Sequence, residues 1–107
     1  MPRQVLGLLE ELGIGASHAE DRGWGALING SLVEAAVQAG FTCLLTRDRL
    51  FGESASKALK RFPQFSVVLI VIPQVRGVEF AGLFREAWRM RPLLPIPGAL
   101  TRWPAGS

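Results

Sequence analysis

Cysteine, histidine and long apolar runs are scarce in this chain, and each shortage closes off a class of function. The only cysteine, Cys43, lies inside an apolar stretch with no partner for an intrachain disulfide, which fits a reducing compartment. The only histidine, His18, has no second histidine or cysteine at ligand spacing, so nothing points to a zinc site. No serine has a histidine and an acid fixed beside it by the sequence, which leaves a hydrolase triad without support. Gly23-x-Gly25 is not a dinucleotide-binding turn, because the order of a strand followed by G-x-G-x-x-G is not present. The longest nearly unbroken apolar run, Val67 to Ile72, is closed by Pro73 and falls far short of the ~20 residues that a membrane-spanning helix needs. With no charged-then-apolar leader at the start, the expectation is a cytoplasmic protein with no membrane partner.

What is present is the composition of a globular domain. At 107 residues, 49% hydrophobic and 20% charged, the chain supports one core, since a domain of this size buries roughly two thirds of its unfolded surface. Residues 1–107 are expected to form a single domain with a mobile tail at 104–107. The formal charge is +3, carried by ten arginines against two lysines. Guanidinium groups pair bidentately with phosphate, so the excess is compatible with polyanion binding. It is equally compatible with a solvated basic surface.

Periodicity sets out the elements. Pro2 to Leu12 reads as a helix, with Val5, Leu8, Leu9 and Leu12 on one face and Gly13 as its stop. Ile14 to Glu20 can hold a short strand, and Asp21 to Gly25 is a turn-rich loop carrying Trp24. Asn29 reads as the N-cap of a helix with Leu32, Val33, Ala36 and Val37 on one face, ended by Gly40. Phe41 to Thr46 and Phe65 to Ile72 are short, apolar and β-leaning, as two central strands covered on both faces would be. A crossover helix over Glu53 to Phe62 makes them parallel. Pro73 to Gly77 is a loop, and Val78 to Met90 forms an amphipathic helix with Phe80, Leu83, Phe84, Ala87 and Trp88 as its stripe. In the Pro- and Gly-rich tail, Leu94, Ile96, Leu100 and Trp103 predict an extended edge piece laid on the body. The fold class is α/β, with a mostly parallel sheet and helices on both faces in three layers.

Two stretches carry candidate chemistry. In L-L-T-R-D-R-L-F, Leu44 to Phe51, Thr46 and Asp48 stand at the carboxyl end of a parallel strand, where open α/β sheets place their ligands. An Asp there can bind Mg²⁺ or Mn²⁺, with Thr46 orienting it; alternatively Thr46 simply ends a strand and Asp48 starts a turn. In G-W-G-A-L-I-N-G-S-L-V-E-A-A, Gly23 to Ala36, Asn29 either caps its helix and does no more, or its helix end helps to hold an anion near Asp48. Glu34 and Glu53 are weaker acidic candidates, better explained as solvated, and Glu20 and Asp21 as loop polarity. Trp24, Trp88 and Trp103 can stack on bases, although Trp88 follows an apolar stripe and fits a core.

Taken together, these stretches resemble the small bacterial PIN-like domains related to the toxin ribonucleases of toxin–antitoxin systems. The resemblance runs from Pro2 to about Trp103 and rests on G-W-G-A-L, N-G-S-L-V at a helix start, G-F-T-C-L-L-T-R-D at a strand end, and the strand V-V-L-I-V-I. It implies a metal-dependent endoribonuclease, with Asp48 as the acidic residue of the T-x-D element and Thr46 as its threonine. Asn29 falls where relatives carry an Asp, giving Asp48 and Asn29 as metal ligands for Mg²⁺ or Mn²⁺. Arg47, Arg49 and Arg76 would hold the RNA backbone. In the family a first strand with an acidic pair precedes the segment resembling Met1 to Gln4, so the resemblance implies that this strand is lacking here and the acidic site incomplete. The other function the resemblance implies is a catalytically impaired module that binds a protein partner, such as an antitoxin, or nucleic acid. A vacated sheet position also implies a homo-oligomer or a partner strand to fill it.

Overall fold

A computed structural model describes residues 4–12, 14–17, 19–24, 27, 29–72 and 77–104, with the backbone alone at 19, 20, 29 and 77. The chain divides into two compact units, Met1–Ala26 with Ile72–Pro92, and Leu27–Val71 with Leu93–Ser107. Among the described residues it is a mixed α/β chain of four α-helices and a three-stranded parallel sheet.

The first unit is built from α1 (Gln4–Glu11), a 3-10 turn at Ala19–Arg22 and α4 (Gly77–Met90). Val5, Leu8 and Leu9 recur at helical spacing and are buried, while Leu12 at the end of the run is exposed. On α4 the stripe narrows to Phe80 and Phe84, both fully buried, with Leu83 exposed. The ring of Phe84 stacks on Trp88 at 6.1 Å between centroids, which places Trp88 in packing and not in a free stacking platform. The two helices pack on each other, and the exposed Arg85 Nη2 donates to Glu11 Oε2 at 2.8 Å. The short strand expected over Ile14 to Glu20 does not form: residues 14–17 have no regular structure and Ala19–Arg22 is a 3-10 turn. Gly15, Ala16 and Ser17 supply no apolar alternation to hold a strand in a sheet. Gly13, His18 and the loop Pro73 to Arg76 lie outside the described residues.

The second unit holds the sheet. Its elements are α2 (Asn29–Gln38), β1 (Cys43–Thr46), α3 (Arg49–Ser56) continued by a 3-10 turn (Lys57–Lys60), β2 (Ser66–Ile70) and β3 (Leu100–Trp103). On α2, Leu32, Val33 and Ala36 are buried. The helix ends as a glycine permits: Gly40 takes φ 92°, its N–H donates to Val37 O, and Phe41 N–H donates to Ala36 O.

The strand order is β1-β2-β3 and both pairings are parallel. All five residues of β2 are buried, as a parallel strand covered on both faces must be. β1, expected as a second central strand, is an edge, and its four residues are only half-buried. The tail does pair as an edge strand, with Trp103 buried, but Leu94 and Ile96 stay exposed because only Leu100 to Trp103 joins the ladder. Val71 and Ile72 fall outside β2 as well. Alignment of β3 begins one turn earlier. Gly98, at φ 77°, donates to Phe65 O at 2.8 Å, and a Cβ there would stand 3.0 Å from Pro63 O. Only glycine combines that conformation with so close an approach.

The crossover helix starts four residues before the expected Glu53, since Asp48 caps it at Arg49. α3 packs on α2 and on all three strands. Its inner face is small: Gly52 and Ala55 are buried, and a Cβ at Gly52 would meet Thr46 Cγ2 at 3.3 Å and Leu100 Cδ1 at 3.9 Å. Glycine here lets the helix lie directly over the end of β1. Residues 105–107 of the tail, expected to be mobile, lie outside the described residues, whereas Pro104 is described and half-buried. No helix among the described residues is long and apolar enough to cross a membrane.

Candidate functional site

Thr46 is the last residue of β1, and the chain turns into α3 over only Arg47 and Asp48. Two hydrogen bonds fix that turn. Asp48 N–H donates to Thr46 Oγ1 at 3.1 Å, and Phe51 N–H donates to Asp48 Oδ1 at 3.1 Å. Asp48 has the extended backbone of an N-cap, φ −92° and ψ 111°, and its carbonyl accepts the first helical bond from Gly52 N–H at 2.9 Å. Thr46 therefore works at both ends: its methyl rests beside Gly52 and its hydroxyl holds Asp48. Asp48 and Arg49 are exposed and Arg47 is half-buried. A carboxylate at this position also meets the positive end of α3, an interaction worth about 0.3–1 kcal/mol at an exposed site.

Thr46, Arg47, Asp48 and Arg49 are thus brought together at the carboxyl end of a parallel strand. Asn29 opens α2, but its side chain lies outside the described residues, as does the whole of Arg76. The start of α2 packs beside the 3-10 turn: a Cβ at Gly30 would stand 3.7 Å from Ala58 Cβ. Glu34 is engaged on its own helix and beside it, with Gln38 Nε2 at 3.5 Å and Arg61 Nη2 at 3.8 Å. Glu53 is exposed on α3. Trp103 is buried and Trp24 half-buried, with the Arg22 guanidinium 5.4 Å from the Trp24 ring centre.

The donor set decides what a metal would meet. Asp48 is the one carboxylate of the turn, and one of its oxygens caps α3. Among the described residues no three His, Cys, Asp or Glu gather into a group able to hold an ion. A hard divalent cation on a single exposed carboxylate keeps most of its water and is held weakly. Among the described residues, then, the turn offers Mg²⁺ or Mn²⁺ one carboxylate, and the side chain of Asn29 is not among them.

Charge is divided unevenly between the two units. The helical unit has six arginines against six acidic residues, whereas the sheet unit has six basic residues against three acidic ones. The whole surplus of +3 therefore belongs to the unit that carries the turn. Sequence reasoning singled out Arg47 and Arg49 but passed over Lys57 and Lys60, which share the helical run of Arg49. The signal was an acid three residues before Phe51, which starts the helix early enough to bring Arg49 onto the run of the two lysines. Cys43, on β1, has its thiol pushed up to about 12 by burial, so it is neither a ready nucleophile nor a ready metal ligand at neutral pH. Compared with protein-family models, with curated proteins and with solved structures, the chain matches none.

Proposed function

We propose that the chain is a PIN-like module that binds the phosphate backbone of RNA at the Thr46–Arg49 turn, without a resident metal. The observation that supports this reading is the surplus positive charge, concentrated in the unit where Thr46 and Asp48 hold that turn in place. A preset turn loses little freedom when a ligand arrives, and Arg49 presents an exposed guanidinium beside it for bidentate contact with phosphate. Backbone contacts of this kind position a strand without reading its sequence.

A metal-dependent ribonuclease is the second reading, favoured by the place of Asp48 at the carboxyl end of a parallel strand. One experiment separates the two. Fluorescence anisotropy of a labelled single-stranded RNA is measured beside its cleavage in Mg²⁺ and in Mn²⁺, for the wild type, Asp48→Asn and Arg49→Gln. Binding without cleavage, weakened by Arg49→Gln, is the expected result. Cleavage that disappears in Asp48→Asn, a variant that keeps the cap, returns the nuclease. Absence of binding at low salt rejects an RNA partner.

A further inference from the structure

The α3 run carries a charged stripe that the turn does not account for. Arg49, Glu53, Lys57 and Lys60 follow at intervals of four, four and three residues, and all four are exposed. Ser56 and Lys57 both keep right-handed helical dihedrals, φ near −62° and −63°, so the run passes from α3 into the 3-10 turn without a break. In the α-helical part, residues four apart lie on one face. In the 3-10 turn, residues three apart eclipse, which sets Lys60 over Lys57. Gly52, Ala55, Ala58 and Leu59 are buried and form the opposite side. Both lysines of the chain are on this stripe. No ion pair joins Arg49, Glu53, Lys57 or Lys60 to another described residue.

We infer that this stripe is the track along which a single RNA strand leaves the Thr46–Arg49 turn, an inference that rests on the RNA-binding reading above. From Arg49 to Lys60 the run is about 17 Å long at ~1.5 Å per residue. Three cations in line with a helix end at the turn make a surface whose charge repeats, as that of a phosphodiester strand does. Glu53 is the one like-charged group such a strand would pass. It is also what separates a track from an ordinary solvated helix face. On a solvated face Glu53 is neutral toward RNA or mildly helpful to the helix through its neighbours four residues away, whereas on a track it repels.

The test measures affinity for a short labelled single-stranded RNA across a salt series, for the wild type, Lys57→Gln/Lys60→Gln, Glu53→Gln and Arg49→Gln. All of these positions are exposed, and circular dichroism confirms folding of each variant. Each cation contributes about 0.7 to the slope of log affinity against log salt for a single strand, so the double variant is expected to lose about 1.4 from it. Glu53→Gln is expected to tighten binding several-fold. If the double variant keeps the wild-type slope while Arg49→Gln weakens binding, the track is rejected and the turn stands. If the wild type binds no RNA, the RNA reading falls and takes the track with it. An oligoglutamate peptide that binds as tightly and with the same dependence on the two lysines overturns a nucleic-acid occupant for the stripe.

Discussion

Asp48, expected as a functional residue, has a structural role at the same position. Its Oδ1 takes the N–H of Phe51, so removing the acceptor leaves that donor to water and costs about 1 kcal/mol, within a usual range of roughly 0.5–2. Asp48→Ala is therefore expected to lower unfolding free energy by about that amount in urea titration, with Asp48→Asn close to wild type because the two residues cap alike. A fall of equal size in both variants would mean that the carboxylate charge, not the cap, is what matters. Cys43 gives a second residue-scale prediction. Burial raises its thiol from about 9 to about 12, so the folded chain holds this proton more tightly than the unfolded one. Stability must then decline as pH rises from about 9 through about 12, by linkage. Unfolding measured at neutral and at alkaline pH should show a loss in the wild type that Cys43→Ala lacks. In the sequence, T-R-D could be read as a strand end followed by an acid, because β-leaning residues stop there. The capping bond was harder to see, since its acceptor and donor are three residues apart and the helix looked as though it began only where charged and small residues cluster, at Glu53.

Among the elements, helices with a clear apolar face were the most legible: Val5, Leu8 and Leu9, then Leu32, Val33 and Ala36, then Phe80 and Phe84, are all buried at the spacing that their periodicity demands. The two strands were visible as apolar runs, but a run does not say where pairing stops, so Val71 and Ile72 were counted in. Nor does it say which strand is central, because that depends on partners distant in sequence. Leu94 and Ile96 were misread for a related reason: apolar residues between prolines need a ladder to bury them, and pairing of β3 starts only at Leu100. What starts it is the turn at Gly98. Gly98→Ala would force a left-handed conformation that costs roughly 1–2 kcal/mol and press a methyl against Pro63 O, 3.0 Å away. The expected loss is therefore at least that large in denaturant unfolding, with a variant as stable as wild type as the contrary outcome. Gly52 offers a gentler contact, with Thr46 Cγ2 at 3.3 Å. Leucine there overpacks the interface of helix and sheet and should cost about 1–3 kcal/mol.

At the scale of the whole molecule, periodicity foretold an α/β chain and composition a basic balance, and the structure locates that balance in the sheet unit. What composition could not foretell is the size of the sheet. Among the described residues it has three strands, and β1 pairs on one side only. The Cys-Leu-Leu-Thr strand carries none of the lysines or prolines by which sheets protect an edge. Self-association is the expected outcome, and sedimentation across a concentration series should give a dimer, whereas a monodisperse monomer at high concentration rules it out.

The cap at Asp48 has a consequence for descent. A position needed only to begin a helix accepts Asp and Asn alike, so a lineage that kept the fold and gave up chemistry would drift freely between the two, while keeping a hydroxyl at Thr46 to hold whichever is there. A lineage still drawing on the carboxylate would have no such freedom. Such a turn can therefore persist with or without an activity, and an intact T-x-D attests to a well-started helix before it attests to a working enzyme.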